Sequence, residues 1–128
     1  MSSTETGTRQ IVRGYHEARF AGDVPAALAR LAEPFTFRSP LMSSQDPAGH
    51  LADLTGFLRV VTGLTMISEL YGHQEATLVY DVHTATPVGV QRTAEHFRLA
   101  GDAITSITLI FDATPWQAML PHMGRAFG

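Results

Sequence analysis

Apolar residues recur at helical spacing along the first half of the chain and at strand spacing along the second. In residues 8–21, Ile11, Val12, Tyr15, Ala18 and Arg19 share one side of a helix, Arg9, Arg13 and Glu17 take the other, and Gly22 ends it. Asp23 caps a second, shorter helix with Pro25 in its first turn; Ala26, Leu28, Ala29 and Leu31 form its apolar side and Pro34 stops it. Residues 35–39 alternate as a short strand broken by Pro40. Residues 41–49, with Ser43, Ser44, Asp46, Pro47 and Gly49, have the composition of a loop. Leu51, Leu54, Phe57, Leu58 and Val61 then make the stripe of a third helix, with Gly63 as its terminator.

The remainder alternates with a period of two. Residues 64–71, 76–84, 90–99 and 103–111 are rich in branched and aromatic side chains and are separated by turn signals, among them Ala100-Gly101-Asp102. Residues 116–127 carry a short helical pattern that Pro121 and Gly124 weaken. Helices first and strands afterwards predict an α+β class, with three N-terminal helices covering one face of a curved, mostly antiparallel sheet. A single domain over residues 1–128 is expected, its polar residues 1–7 forming a flexible end.

One carboxylate breaks the alternation. In the run from Gln91 to Leu99, Glu95 falls in phase with Phe97 and Leu99 and out of phase with His96 and Arg98, so it points inward with the apolar set. Burying an isolated carboxylate costs on the order of several kcal/mol, so Glu95 has to be protonated, paired or hydrogen-bonded inside a cavity. That makes it the leading candidate for a functional side chain.

Composition narrows the chemistry. Hydrophobic residues make up 45% and charged residues 16%, with a net charge of −3 and singly scattered arginines, which offers no electrostatic footprint for nucleic acid or an anionic membrane. The absence of cysteine removes disulfides, thiolate nucleophiles and sulfur-ligated metals; the absence of lysine removes Schiff-base chemistry. No apolar run reaches membrane-spanning length or forms a secretory signal, and a cytoplasmic location is expected. His16, His50, His73, His83, His96 and His122 lack paired helical spacing, so no metal and no cofactor is expected. Only His83 and His96 are placed as cross-strand neighbours, both facing away from the core beside Asp81 and Arg98.

The element order, with Ala21-Gly22-Asp23 after the first helix, Ser39-Pro40 after the first strand and the run Glu95-His96-Phe97-Arg98-Leu99 before a Gly-Asp turn, resembles the nuclear-transport-factor-2-like superfamily. This group includes ketosteroid isomerases and SnoaL-type polyketide cyclases. The resemblance implies a cone-shaped α+β barrel whose cavity lies between the helices and the concave side of the sheet. It implies further that Tyr15 and Glu95 stand where ketosteroid isomerases carry the two hydrogen-bond donors of their oxyanion hole, a tyrosine and a protonated acid. At the position of the isomerases' aspartate base this chain has Ser39, whose unassisted hydroxyl is too weak a base. His50, at the start of the third helix beside the cavity rim, is the nearest candidate for a replacement.

Phe37, Ser39, Phe57, Tyr80, Phe97, Phe111 and Trp116 are the candidate ligand-binding residues, and an apolar, cyclic small molecule is the expected ligand. Limonene-epoxide-hydrolase-like chemistry needs an inward acid, an arginine and a second acid around a water, and it fits poorly here because Arg98 is out of phase with Glu95. Three functional classes follow. The first is an isomerase or cyclase moving a proton next to a carbonyl; the second is a ligand-binding module without turnover; the third is a protein-interaction module. A homodimer through the outer sheet face bearing Asp81, His83, His96 and Arg98 is implied by the resemblance.

Overall fold

Two aspartates start two of the helices. Asp23 accepts from Ala26 N at the head of helix α2 (Val24–Leu28), and Asp46 accepts from Ala48 N at the head of α3 (Pro47–Leu58), each followed by a proline whose missing N–H is harmless there. The computed structural model describes residues 3–123. Helix α1 runs Ser3–Phe20, so most of the expected flexible end is helical. Thr8 ties this helix down, since its side chain is buried, bonds back to Thr4 O and accepts from Gln74 N.

Six strands follow or interleave with the helices: β1 (Leu31–Arg38), β2 (Ser43–Ser44), β3 (Val61–Tyr71), β4 (Glu75–Thr84), β5 (Val90–Ala100) and β6 (Ala103–Ile110). They form one sheet in the order β2-β1-β6-β5-β4-β3, antiparallel throughout except for the parallel pair β1 and β6. The class is α+β, as the order of patterns predicts. Irregular register at Met66/Ser68 in β3 and at Arg98/Leu99 in β5 adds local bend.

Several boundaries differ from the sequence reading. Leu31 and Pro34 belong to β1 rather than to the end of a helix; Pro34 lies where the pairing of β1 with β6 shifts register, a place that tolerates a missing N–H. Val61 and Gly63 open β3, opposite Thr84 and His83, instead of closing α3. Ser43 and Ser44 pair with β1, although their composition reads as loop. The last helix, α4, spans Thr114–Met123, and the part expected at 124–127 lies outside the described residues.

The sheet's inner face carries the core. Leu78, Tyr80 and Val82 on β4, Phe97 and Leu99 on β5, and Ile104 and Ile107 on β6 pack against Ile11, Val12 and Tyr15 of α1. Among the described residues no helix is long and apolar enough to cross a membrane.

Candidate functional site

Glu95 is fully buried, as its phase demands, and it is paired. Arg19, one helical turn beyond Tyr15 on α1, is also buried and grips the carboxylate with both terminal nitrogens, Nη1 to Oε2 at 2.5 Å and Nη2 to Oε1 at 2.6 Å. Tyr80 on β4 donates its hydroxyl to Glu95 Oε1 at 2.8 Å. Burial alone would raise the Glu95 carboxyl, but the Arg19 charge and the bonds from Arg19 and Tyr80 outweigh it and hold the group below the usual carboxylate range. Glu95 is therefore an ionised acceptor. The donor role that the resemblance implies for it requires a protonated acid, which this environment opposes.

Tyr15 and His50 extend the network. Arg19 Nη1 also lies 3.4 Å from Tyr15 Oη; guanidinium only donates, which leaves the phenol proton for His50 Nε2 at 2.9 Å. Burial pushes the Tyr15 hydroxyl up to about 12. His50 does stand in the first turns of α3, yet it is buried, with Phe37 and Phe35 rings 4.1 and 5.4 Å from its own. Burial, helped by the Arg19 charge, lowers its pKa to about 3. A group that weakly basic is a poor candidate for proton abstraction near neutrality. Ser39 is also committed elsewhere: its Oγ accepts from Leu41 N and Met42 N in the turn after β1.

A hollow of about 30 Å³ adjoins the ion pair, room for roughly two water molecules. Buried Arg19, Tyr80, Gln91 and Thr93 contribute to its lining. Leu54, Phe57, Leu58 and Leu109, all half-buried, make its outer end, with Phe20 and Val82 along the walls. Of the candidate ligand residues, Tyr80 and Phe57 line it. Phe37, Phe97, Tyr15 and His50 do not, since they pack in the adjoining core; Phe111 follows β6 outside the lining. Trp116 stands behind Phe57, ring centroids 5.7 Å apart, and donates Nε1 to Gln91 Oε1.

Sequence reasoning missed Arg19, Gln91 and Thr93 as site residues. The signal was present for two of them: Gln91 and Thr93 share the inward phase of Glu95, Phe97 and Leu99, and all five are buried. Arg19 was visible as a charge on the apolar side of α1. The two strand histidines are not neighbours, because His83 lies opposite Val90 and His96 opposite Thr77. His83 bonds to Thr65 and His96 to Glu75. Among the described residues no three His, Asp or Glu side chains converge as a metal site would require.

No family model matches the chain, and no curated protein matches its sequence. Solved structures do match. A protein from Kribbella flavida is 26% identical, with a TM-score of 0.81, over 96% of this chain and 99% of that one. An NTF2-like protein of unknown function from Cytophaga hutchinsonii is 22% identical, with a TM-score of 0.71, over 86% of this chain and 94% of that one. A candidate ketosteroid isomerase from Kribbella flavida is 16% identical, with a TM-score of 0.70, over 84% and 79% of the two chains.

Proposed function

We propose that this chain, which has the nuclear-transport-factor-2-like fold, is a binding module for a small, neutral, apolar molecule and performs no proton transfer through Tyr15 and Glu95. What supports the reading is one juxtaposition: a hollow with a mainly apolar lining, half-buried at Leu54, Phe57, Leu58 and Leu109, lies against an acid that is already ion-paired. An oxyanion hole needs donors aimed at the reacting oxygen. Here Glu95 is an acceptor, the Tyr15 proton is directed at His50, and the family's base position is a serine held in a turn.

At its present size the hollow admits the polar end of a ligand and leaves the body between Leu54, Phe57, Leu58 and Leu109. The test is a titration with 1-indanone, a cyclic ketone, followed by the nuclear magnetic resonance signal of the indole N–H. The chain has one tryptophan, Trp116, and it sits beside the hollow. Saturable binding is expected. Leu54→Trp, which blocks the mouth, is expected to weaken it about tenfold or more, the scale of ~1.4 kcal/mol. Deuterium exchange at the carbon next to the ketone is expected to match buffer alone. Exchange accelerated by the protein and lost in Glu95→Gln would return the chain to the isomerase class.

We further propose a homodimer through the outer sheet face. Leu70 is 64% exposed, Val90 53% and Ile110 60%, and by register all three lie on the sheet face away from the buried Glu95 and Phe97. Around them lie the Arg92–Asp81 and His96–Glu75 pairs. Sedimentation at micromolar concentration is expected to give twice the chain mass, and Ile110→Asp to halve it. A parent protein that sediments as a monomer rules the dimer out.

A further inference from the structure

The hollow is smaller than the body of any organic ligand. Pockets that enclose small molecules run to roughly 300–1,000 Å³, whereas about 30 Å³ is open here. A wall has to give way for anything larger than water to be enclosed. Tyr80, Val82, Gln91, Thr93 and Leu109 stand on β4, β5 and β6, strands flanked by another strand on each side, and Arg19 is fixed in its ion pair. Helix α4 is placed differently. It follows β6 after residues 111–113, which belong to neither strand nor helix; Thr114, Pro115, Gln117 and Ala118 are exposed, Met119 is half-buried, and of residues 114–119 Trp116 alone is buried, at 1% exposure.

The indole of Trp116 occupies its place as a bound molecule would. Its ring stands edge-on to Phe57, and its N–H donates to Gln91 Oε1. Phe57 and Gln91 both line the hollow, so the space filled by the indole and the hollow share two walls. Gln91 is held from its other end as well, since its Nε2 donates to Thr93 Oγ1 at 2.7 Å. Its Oε1 therefore keeps its direction when the indole leaves. A buried acceptor left unmet beside an aromatic wall selects a replacement that brings a donor of its own.

We infer that Trp116 is a built-in occupant of an enlarged ligand seat, and that the molecule which displaces it is a planar aromatic carrying an N–H or O–H donor for Gln91. The inference deepens the ligand-binding reading above and rests on it. Lifting residues 114–119 of α4 takes little out of contact besides the indole, because the side chains around Trp116 already face water. The indole and the ligand compete for one place. If the open arrangement holds about a tenth of the molecules or less, the parent binds roughly tenfold or more weakly than a chain whose seat is empty.

The test uses the full chain with isotopically labelled tryptophan, so that added indole is silent and only the Trp116 N–H is observed. Saturating indole is expected to open that N–H to fast hydrogen exchange with solvent. 1-Benzofuran, which has the same shape with an oxygen in place of the N–H, is expected to bind roughly fivefold more weakly or worse, and Gln91→Leu to abolish the difference. Trp116→Ala is expected to bind indole about tenfold or more tightly than the parent and to melt at a higher temperature in its presence. Should that variant fail to fold, the labelled parent decides alone. A Trp116 N–H that stays protected at saturating indole, benzofuran bound by the parent as tightly as indole, or a folded Trp116→Ala with no gain in affinity overturns the inference. If indole fails while 1-indanone still binds the parent saturably, the inference falls and the ligand-binding reading stands; if neither binds, both fall.

Discussion

Replacing Glu95 with glutamine is expected to destabilise the chain by about 3–5 kcal/mol, the range for removing one partner of a buried ion pair. The loss comes from what remains. Arg19 would stay charged in a site closed to water, with a neutral amide where its counter-ion stood and Tyr15 and Tyr80 already engaged. Arg19→Met removes the other partner and leaves an unpaired acid, which escapes by taking up a proton. Its deficit is therefore expected to be larger at pH 8 than at pH 5. The double variant Arg19→Met with Glu95→Leu is expected to recover much of the loss, because no charge then needs burial. Equilibrium unfolding in urea measures all three. Single variants that each cost less than about 1 kcal/mol would mean that water reaches the pair and screens it.

The second large effect is acid lability. Burial, aided by the Arg19 charge, lowers His16 from 6.5 to about 4 and His50 from 6.5 to about 3. Below about pH 6.5 the unfolded chain binds protons at these positions that the native chain does not, so stability falls as the pH falls. The contribution is fully present above pH 6.5 and is lost progressively towards the folded values; Glu95, held below the usual carboxylate range, adds to the loss at still lower pH. Between pH 6.5 and 4 each imidazole accounts for roughly 3 kcal/mol. Together that is comparable with the whole stability of a small domain, about 5–15 kcal/mol.

His50→Gln retains a partner for Tyr15 without a titratable ring, and His16→Leu removes a side chain whose Nε2 is buried without a partner. The double variant is expected to show a distinctly flatter dependence over pH 4–7. A parent protein equally stable at pH 7 and pH 5 would contradict the account.

Much of this was legible in the residues, and what was not has identifiable causes. The inward phase of Glu95 followed from alternation because one side of the strand meets the core and a slip of one residue would expose every apolar side chain. Carried two and four residues towards the N-terminus, the same reasoning reaches Thr93 and Gln91. Arg19 stood among apolar residues in its helix, but its partner lies 76 positions away, and no local pattern encodes that distance. The pairing of β1 with β6 was hidden for a related reason: parallel neighbours share no hairpin turn from which register could be read. His50 was placed at the rim because the loop before the third helix was expected to border the cavity. Here the first turns of α3 are pressed onto Phe35 and Phe37, and tertiary packing prevails over position.

The parallel seam between β1 and β6 also orders events in time. While the polypeptide is being synthesised, the hairpins from β3 to β6 can close as soon as each is complete, since their partners are adjacent in sequence. The early strand has no such neighbour beyond the two-residue β2, and the guanidinium of the first helix has no counter-ion until Glu95 emerges. β1 therefore gains its long sheet partner only when the final strand is made, so a nascent chain arrested before Ile110 should be open to proteases at β1 while the β3–β5 hairpins are already protected.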